Sequence, residues 1–348
     1  MRKKIWIMLL SLVISLSALT TAPQASTQQN NQRKLRIARR IKHDLQMADA
    51  NAIVMVSSQS GDAHPMTVRN QALTVHHQDQ LIAPHRLYPI ASLQKVFTGL
   101  IVQRLVKEQR LGLQTRLDRY YPAVPYAKQI TIERLMTHTS GCADIKSVRR
   151  HYLPTEADQM HYVLHHVRIR DSFNWHYSNA DFAFLSSIIA QIEGKTYHQV
   201  VRQQLWQPLG LHMKFYDEVT PSQVVQPVNP VLRKWGTIRD DMGAAPGSAE
   251  VLSSPVDYWK FINWLSDGSN PPLADLMRHT HQLVPYYGGI YNRHGLVHAN
   301  GYVDGYCCTF YVYHHERMLL MTDNVSFLHA GELGNRIFHE VFEKNQLR

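Results

Sequence analysis

Apolar residues recur at intervals of three and four at Leu93, Val96, Phe97, Leu100, Ile101 and Leu105, which places them on one buried face of a helix. The same period predicts a helix over 180–193, with Phe182, Leu185, Ile189 and Ile192 inward and Gly194 as its stop. Further helices are predicted over 256–265, behind Ser253-Ser254-Pro255, and over 331–344. Near the N-terminus Leu35, Ala38, Ile41 and Leu45 form a narrow stripe, while Arg36, Arg39, Arg40 and Lys42 take the other faces. So narrow a stripe favours packing on a sheet over lying on a membrane. A period of two marks strands at both ends of the chain: 51–56 and 66–76, then 283–291, 295–302, 306–313 and 318–323 as an antiparallel meander. These elements predict an α/β (α+β) fold, an antiparallel sheet flanked by helices. Residues 35–110 and 245–348 would form the α/β sandwich, and 111–244 an all-α insert domain.

Composition changes this picture mainly at the start of the chain. Residues 1–25 combine a cationic beginning with an apolar run from Ile5 to Leu19 and small residues at the end, as in a secretory signal peptide. Pro23 makes a poor cleavage site, so an uncleaved N-terminal anchor stays open beside secretion. Either way the expected location is extracellular or at the cell envelope. Residues 26–34 read as a polar tether. The formal net charge of +10, three units of it from Arg2, Lys3 and Lys4, suits an anionic neighbourhood such as wall polymers or lipid headgroups. No basic-aromatic motif points to nucleic acid. Cys142, Cys307 and Cys308 are too few for a disulfide framework and read as buried thiols, with a bridge from Cys142 to one of the pair as the lesser alternative.

Ser92 opens the central helix and Lys95 lies one turn on, which stacks the amine over the hydroxyl. A serine hydroxyl needs a nearby base to become a nucleophile. A lysine can serve where its surroundings disfavour the charged form, and a helix N-terminus offers free N–H groups to a developing oxyanion. Tyr177 and Asn179, in Asn174-Trp-His-Tyr177-Ser-Asn179, supply a proton shuttle and an amide on one side of an extended loop. The bland alternatives are a serine cap before a surface lysine, and a helix cap at Ser178. Among the 21 histidines, His161 with His165 and His279 with His281 are close-spaced but have no acidic or cysteine partner at ligand spacing, so no metal is expected.

Ser92-Leu-Gln-Lys95, the continuation through Leu111-Gly to Pro122, the segment 130–141 ending His138-Thr-Ser140-Gly141, Tyr177-Ser-Asn179, and Leu205-Trp-Gln-Pro-Leu-Gly resemble the serine β-lactamase and penicillin-binding-protein superfamily. The likeness is greatest to its class C and carboxypeptidase/esterase branch. It implies a β-lactamase/transpeptidase-like fold with Ser92, Lys95 and Tyr177 catalytic and Asn179 orienting substrate. His138 is given no chemical role. The third motif, Lys-Thr-Gly or His-x-Gly in the family, departs here: Val297-His298-Ala299-Asn300-Gly301-Tyr302 keeps the glycine but puts Ala299 at the cation's place, or His298 if one residue is inserted before Gly301. Gly301 and the Tyr302 amide would complete the oxyanion hole, with either His298 or Asn300 facing substrate. The resemblance further implies an acyl-enzyme, no cofactor, and a D-alanyl peptide or ester substrate from peptidoglycan or teichoic acid. The rival reading is a non-catalytic binding or sensing protein of the envelope, to which the altered third motif lends some weight.

Overall fold

Seven antiparallel strands gather the two ends of the chain into one sheet. The computed structural model describes residues 28–58, 62, 64–73, 75, 80–143, 153–226, 228 and 235–342. Strands β1 (Ala52–Ser57) and β2 (Met66–Asn70) join β3 (Tyr286–Tyr287), β4 (Ile290–Arg293), β5 (Leu296–Val303), β6 (Tyr306–Tyr313) and β7 (Glu316–Thr322) in the order β2-β1-β7-β6-β5-β4-β3. Because β1 is covered on both sides, its sequence is an apolar run from Ala52 to Val56. Ile53 and Met55 face one core, Ala52, Val54 and Val56 the other.

The second of these cores lies under helix α1 (28–47) and helix α5 (Phe327–Phe342). In α5, Ala330, Leu333, Ile337, Phe338 and Val341 fall on one face at helical spacing and are buried. In α1 the inward stripe is Ile37, Ala38, Ile41 and Leu45, while Leu35 is 59% exposed. The tether expected at 26–34 is helical from residue 28, because Gln, Asn and Arg there include no glycine or proline to stop the helix from extending. Residues 1–25, read as signal or anchor, lie outside the described residues. No helix among the described residues is long and apolar enough to cross a membrane.

The larger core holds helices α2 (Lys95–Lys107), α3 (Asn179–Glu193) and α4 (Pro255–Ser266). Ser178 caps α3 through its Oγ, and Gly194 closes it in the left-handed conformation at φ 63°. The meander differs from expectation at 283–291, which is not one strand. Gly288 and Gly289, at φ 56° and 99°, form a two-residue turn that splits it into β3 and β4. That turn presses on α2: a Cβ at Gly99 would lie 2.2 Å from Gly288 O, and one at Gly289 would lie 2.4 Å from Val96 N. Only glycines permit this approach. All three cysteines are free and buried.

Candidate active site

The residues just ahead of Ser92 are pinned to the sheet. The Tyr88 hydroxyl accepts from Cys307 N–H at 2.9 Å and donates to the Thr322 carbonyl, and Ile90 N–H donates to Val251 O at 3.0 Å. A Cβ at Gly301 would stand 2.1 Å from Ile90 O, so strand β5 closes directly on this segment. Ala91, fully buried, takes φ +45°, a conformation that costs a non-glycine residue free energy. From it a single 3-10 turn, Ala91–Gln94, leads into α2 and sets Ser92 at the mouth of a cleft.

Lys95 is 1% exposed, and its Nζ lies 3.0 Å from Ser92 Oγ and 2.7 Å from Asn179 Oδ1. A third contact, Ser248 O at 3.4 Å, comes from a loop that buried Glu250 fixes by accepting from Gly247 N–H at 2.7 Å and Gln94 Nε2 at 3.2 Å. The Nζ also stands 4.9 Å from the ring centre of Tyr177 and 5.5 Å from that of Phe182. The serine, lysine, tyrosine and asparagine singled out in the sequence therefore meet at one point.

Behind Tyr177 sits His138, fully buried, its ring centre 4.4 Å from Tyr177 and 4.5 Å from Tyr286. Its Nδ1 lies 2.7 Å from Asp181 Oδ2. Burial, with Lys95 and His176 nearby, holds the imidazole pKa well below its ordinary value. His138 O accepts from His176 N–H at 2.8 Å and so holds the loop that carries Tyr177.

The cleft has a volume of about 400 Å³. Ser92, Asn179 and Asn300 give it polar atoms, and Tyr177, Tyr286, Tyr291, Tyr302 and Phe327 give it rings. On β5 the alternation of sides decides the third motif. Ala299 and Gly301 are buried, while His298, Asn300 and Tyr302 share the opposite side. Asn300 and Tyr302 reach the cleft, and Asn300 Oδ1 accepts from Thr309 Oγ1 at 2.6 Å. His298 does not line it. Its ring stacks on Tyr291 at 5.0 Å and Tyr311 at 5.9 Å, and burial beside Arg293 lowers its pKa to about 4. Arg293 does not line the cleft either.

The Beta-lactamase family model matches residues 67–304, more than half of the chain. The chain belongs to the Beta-lactamase family. Among curated proteins, this Beta-lactamase family chain is 24% identical over 282 residues to a teichoic acid D-alanine hydrolase of Staphylococcus aureus, covering 76% of this chain and 68% of that one. It is 23% identical over 202 residues to PbpX of Bacillus subtilis, named as a penicillin-binding protein, and that match spans 53% of this chain and about half, 48%, of the relative. The crystal structure of D-amino acid amidase from Ochrobactrum anthropi SV3, with L-phenylalanine amide, superposes at a TM-score of 0.74 and 17% identity, over 90% of this chain and 99% of that one.

Three parts of the site escaped sequence reasoning. Ser248 contributes a backbone carbonyl, which leaves no mark on residue type. Tyr286 and Phe327 lie far along the chain from the serine. The Gly288-Gly289 pair was a usable signal for the hairpin that carries Tyr286 and Tyr291.

Proposed function

We propose that the chain is an exported serine hydrolase that cleaves D-alanyl esters of the cell envelope through an acyl-enzyme. The observation that carries this reading is Lys95 Nζ, buried within 3.0 Å of Ser92 Oγ and held by Asn179. As a free amine, Lys95 takes the Ser92 proton while Oγ bonds to the ester carbonyl carbon. The Ser92 and Tyr302 amides receive the oxyanion. Lys95 and Tyr177 pass the proton to the departing alkoxide, leaving D-alanine esterified to Ser92. Water, deprotonated by the same pair, then attacks this ester and frees D-alanine, and Oγ regains its proton.

The ester preference rests on the third motif: by the resemblance Ala299 takes the sequence position of the family's cation, and among the described residues no side chain lining the cleft carries a charge to grip a substrate carboxylate. Similarity to a protein named for hydrolysing teichoic acid D-alanine supports the same class. The surplus of positive charge suits an anionic polymer or membrane surface around the substrate. The test is mass mapping of the adduct formed with a fluorophosphonate or penicillin, beside release of D-alanine from D-alanylated teichoic acid. We expect modification at Ser92 and release that Ser92→Ala abolishes. An adduct on another serine with Ser92→Ala still active defeats the assignment, and an adduct without any turnover would indicate the binding protein instead.

A further inference from the structure

We infer that the aromatic rim of the cleft recognises the free ammonium group of the acyl moiety, so that the preferred substrates are aminoacyl esters rather than neutral acyl esters. This rests on the serine-esterase reading above and concerns what that site selects. Among the described residues no side chain lining the cleft carries a carboxylate or a guanidinium, and the wall around Ser92 is made of hydroxyls, amides and rings. The rings present are divided in their duties. Tyr177 and Tyr286 both pack on His138, and Tyr177 also borders Lys95. Tyr291 gives one face to His298, with the two rings inclined by only 11°. Tyr302 and Phe327 stand at the mouth, 46% and 47% exposed, with ring centres 5.8 Å apart.

Two half-exposed rings beside a nucleophile add little to the core, and their faces are available to a ligand. Tyr286 and Tyr291 meet at 67°, and Tyr302 and Phe327 at 54°, so within each pair the two rings are turned in different directions. Ring faces are negative and attract a cation within about 6 Å of the centre. An apolar acyl group would also fit among rings, so the experiment must compare charge at constant shape.

The D-alanyl and isobutyryl esters of one alcohol differ by an ammonium in place of a methyl. The measurement is the ratio of their kcat/KM values in the full chain and in Tyr302→Leu, Phe327→Leu and the double variant, which removes differences in intrinsic ester reactivity. We expect the ratio to fall about five- to twenty-fold in the double variant, the range a desolvated cation–ring contact supplies. Tyr302→Phe keeps the ring face and should retain the ratio. Tetramethylammonium should inhibit the wild type competitively and the double variant much less, with tert-butanol inert against both. An unchanged ratio, or equal inhibition of both proteins, overturns the inference. If that happens while Ser92→Ala is inactive on both esters, the esterase reading stands and only the ammonium site falls. If Ser92→Ala still cleaves them, the esterase reading itself fails.

Discussion

The serine–lysine corner and the third-motif strand lie against one another, yet they are built on different rules. At the corner, Lys95 Nζ has oxygen atoms of Ser92, Asn179 and Ser248 within 3.4 Å, each brought by a different segment, and buried Glu250 holds the Ser248 loop in place. On β5 the sequence position of the family's cation is held by Ala299, which turns away from the cleft, and the wall the cleft presents is aromatic rings from the hairpin, from β5 and from α5. Proton transfer demands atoms at hydrogen-bond distance, so the corner has little freedom to vary. Recognition acts over a surface, where one cation can be lost and replaced by other chemistry.

The largest effects should therefore come from the corner. Lys95→Ala and Tyr177→Phe should each lower ester turnover by about 10²-fold or more, the usual loss when a proton-transfer group is removed. If both serve one relay, as proposed, the double variant should lose less than the product of the two. Full multiplicative loss in single-turnover kinetics would separate them into independent steps and weaken the picture of one tight unit.

The strand predicts a smaller, substrate-dependent effect. A hydrogen-bonded charge pair contributes about 1.5–3 kcal/mol, so without it carboxylate substrates lose about ten- to a hundred-fold in binding. A D-alanyl ester, which carries no carboxylate, should show a higher kcat/KM than a D-Ala-D-Ala peptide or a chromogenic cephalosporin. If the cephalosporin proves best, a carboxylate grip exists and the contrast between the two regions collapses.

The smallest effect concerns His298. With a pKa of about 4 in the fold and about 6.5 unfolded, it sheds a proton on folding between those values. The unfolded chain then binds more protons, so stability falls as pH drops from about 6.5 toward 4. His298→Gln removes this loss. Its Tm relative to wild type should be more favourable at pH 5 than at pH 8, and an equal offset at both would place the imidazole in water.

Local signals account for what was legible in the sequence. The helix of Ser92 shows itself by spacing within one element, and Tyr177 and Asn179 sit two residues apart, where a loop passes through the Ser178 cap into α3. The sheet of both termini follows from the change in period from two to three or four and back. The ring wall did not show, because Tyr286, Tyr302 and Phe327 meet only after the meander has folded. The side of β5 that bears Asn300 could not be chosen from alternation alone, since Ala299 and Gly301 are small enough for either side. Their burial is decided by Ile90, whose carbonyl leaves no room for a Cβ at 301.

The pairing of β1 with β7 also sets a timetable for synthesis. Asn51 N–H donates at 2.8 Å to the side chain of Asn324, 273 residues away, and β1 lies against β7 along its whole length. At ribosomal rates of about 5–20 residues per second, β1 waits roughly 15–50 s for its neighbour. Through that interval an apolar strand has an open edge, the condition in which chains bind chaperones or one another. Contacts so distant in sequence also slow the closing step itself. The sheet therefore stays unlocked until the chain has been made as far as Thr322.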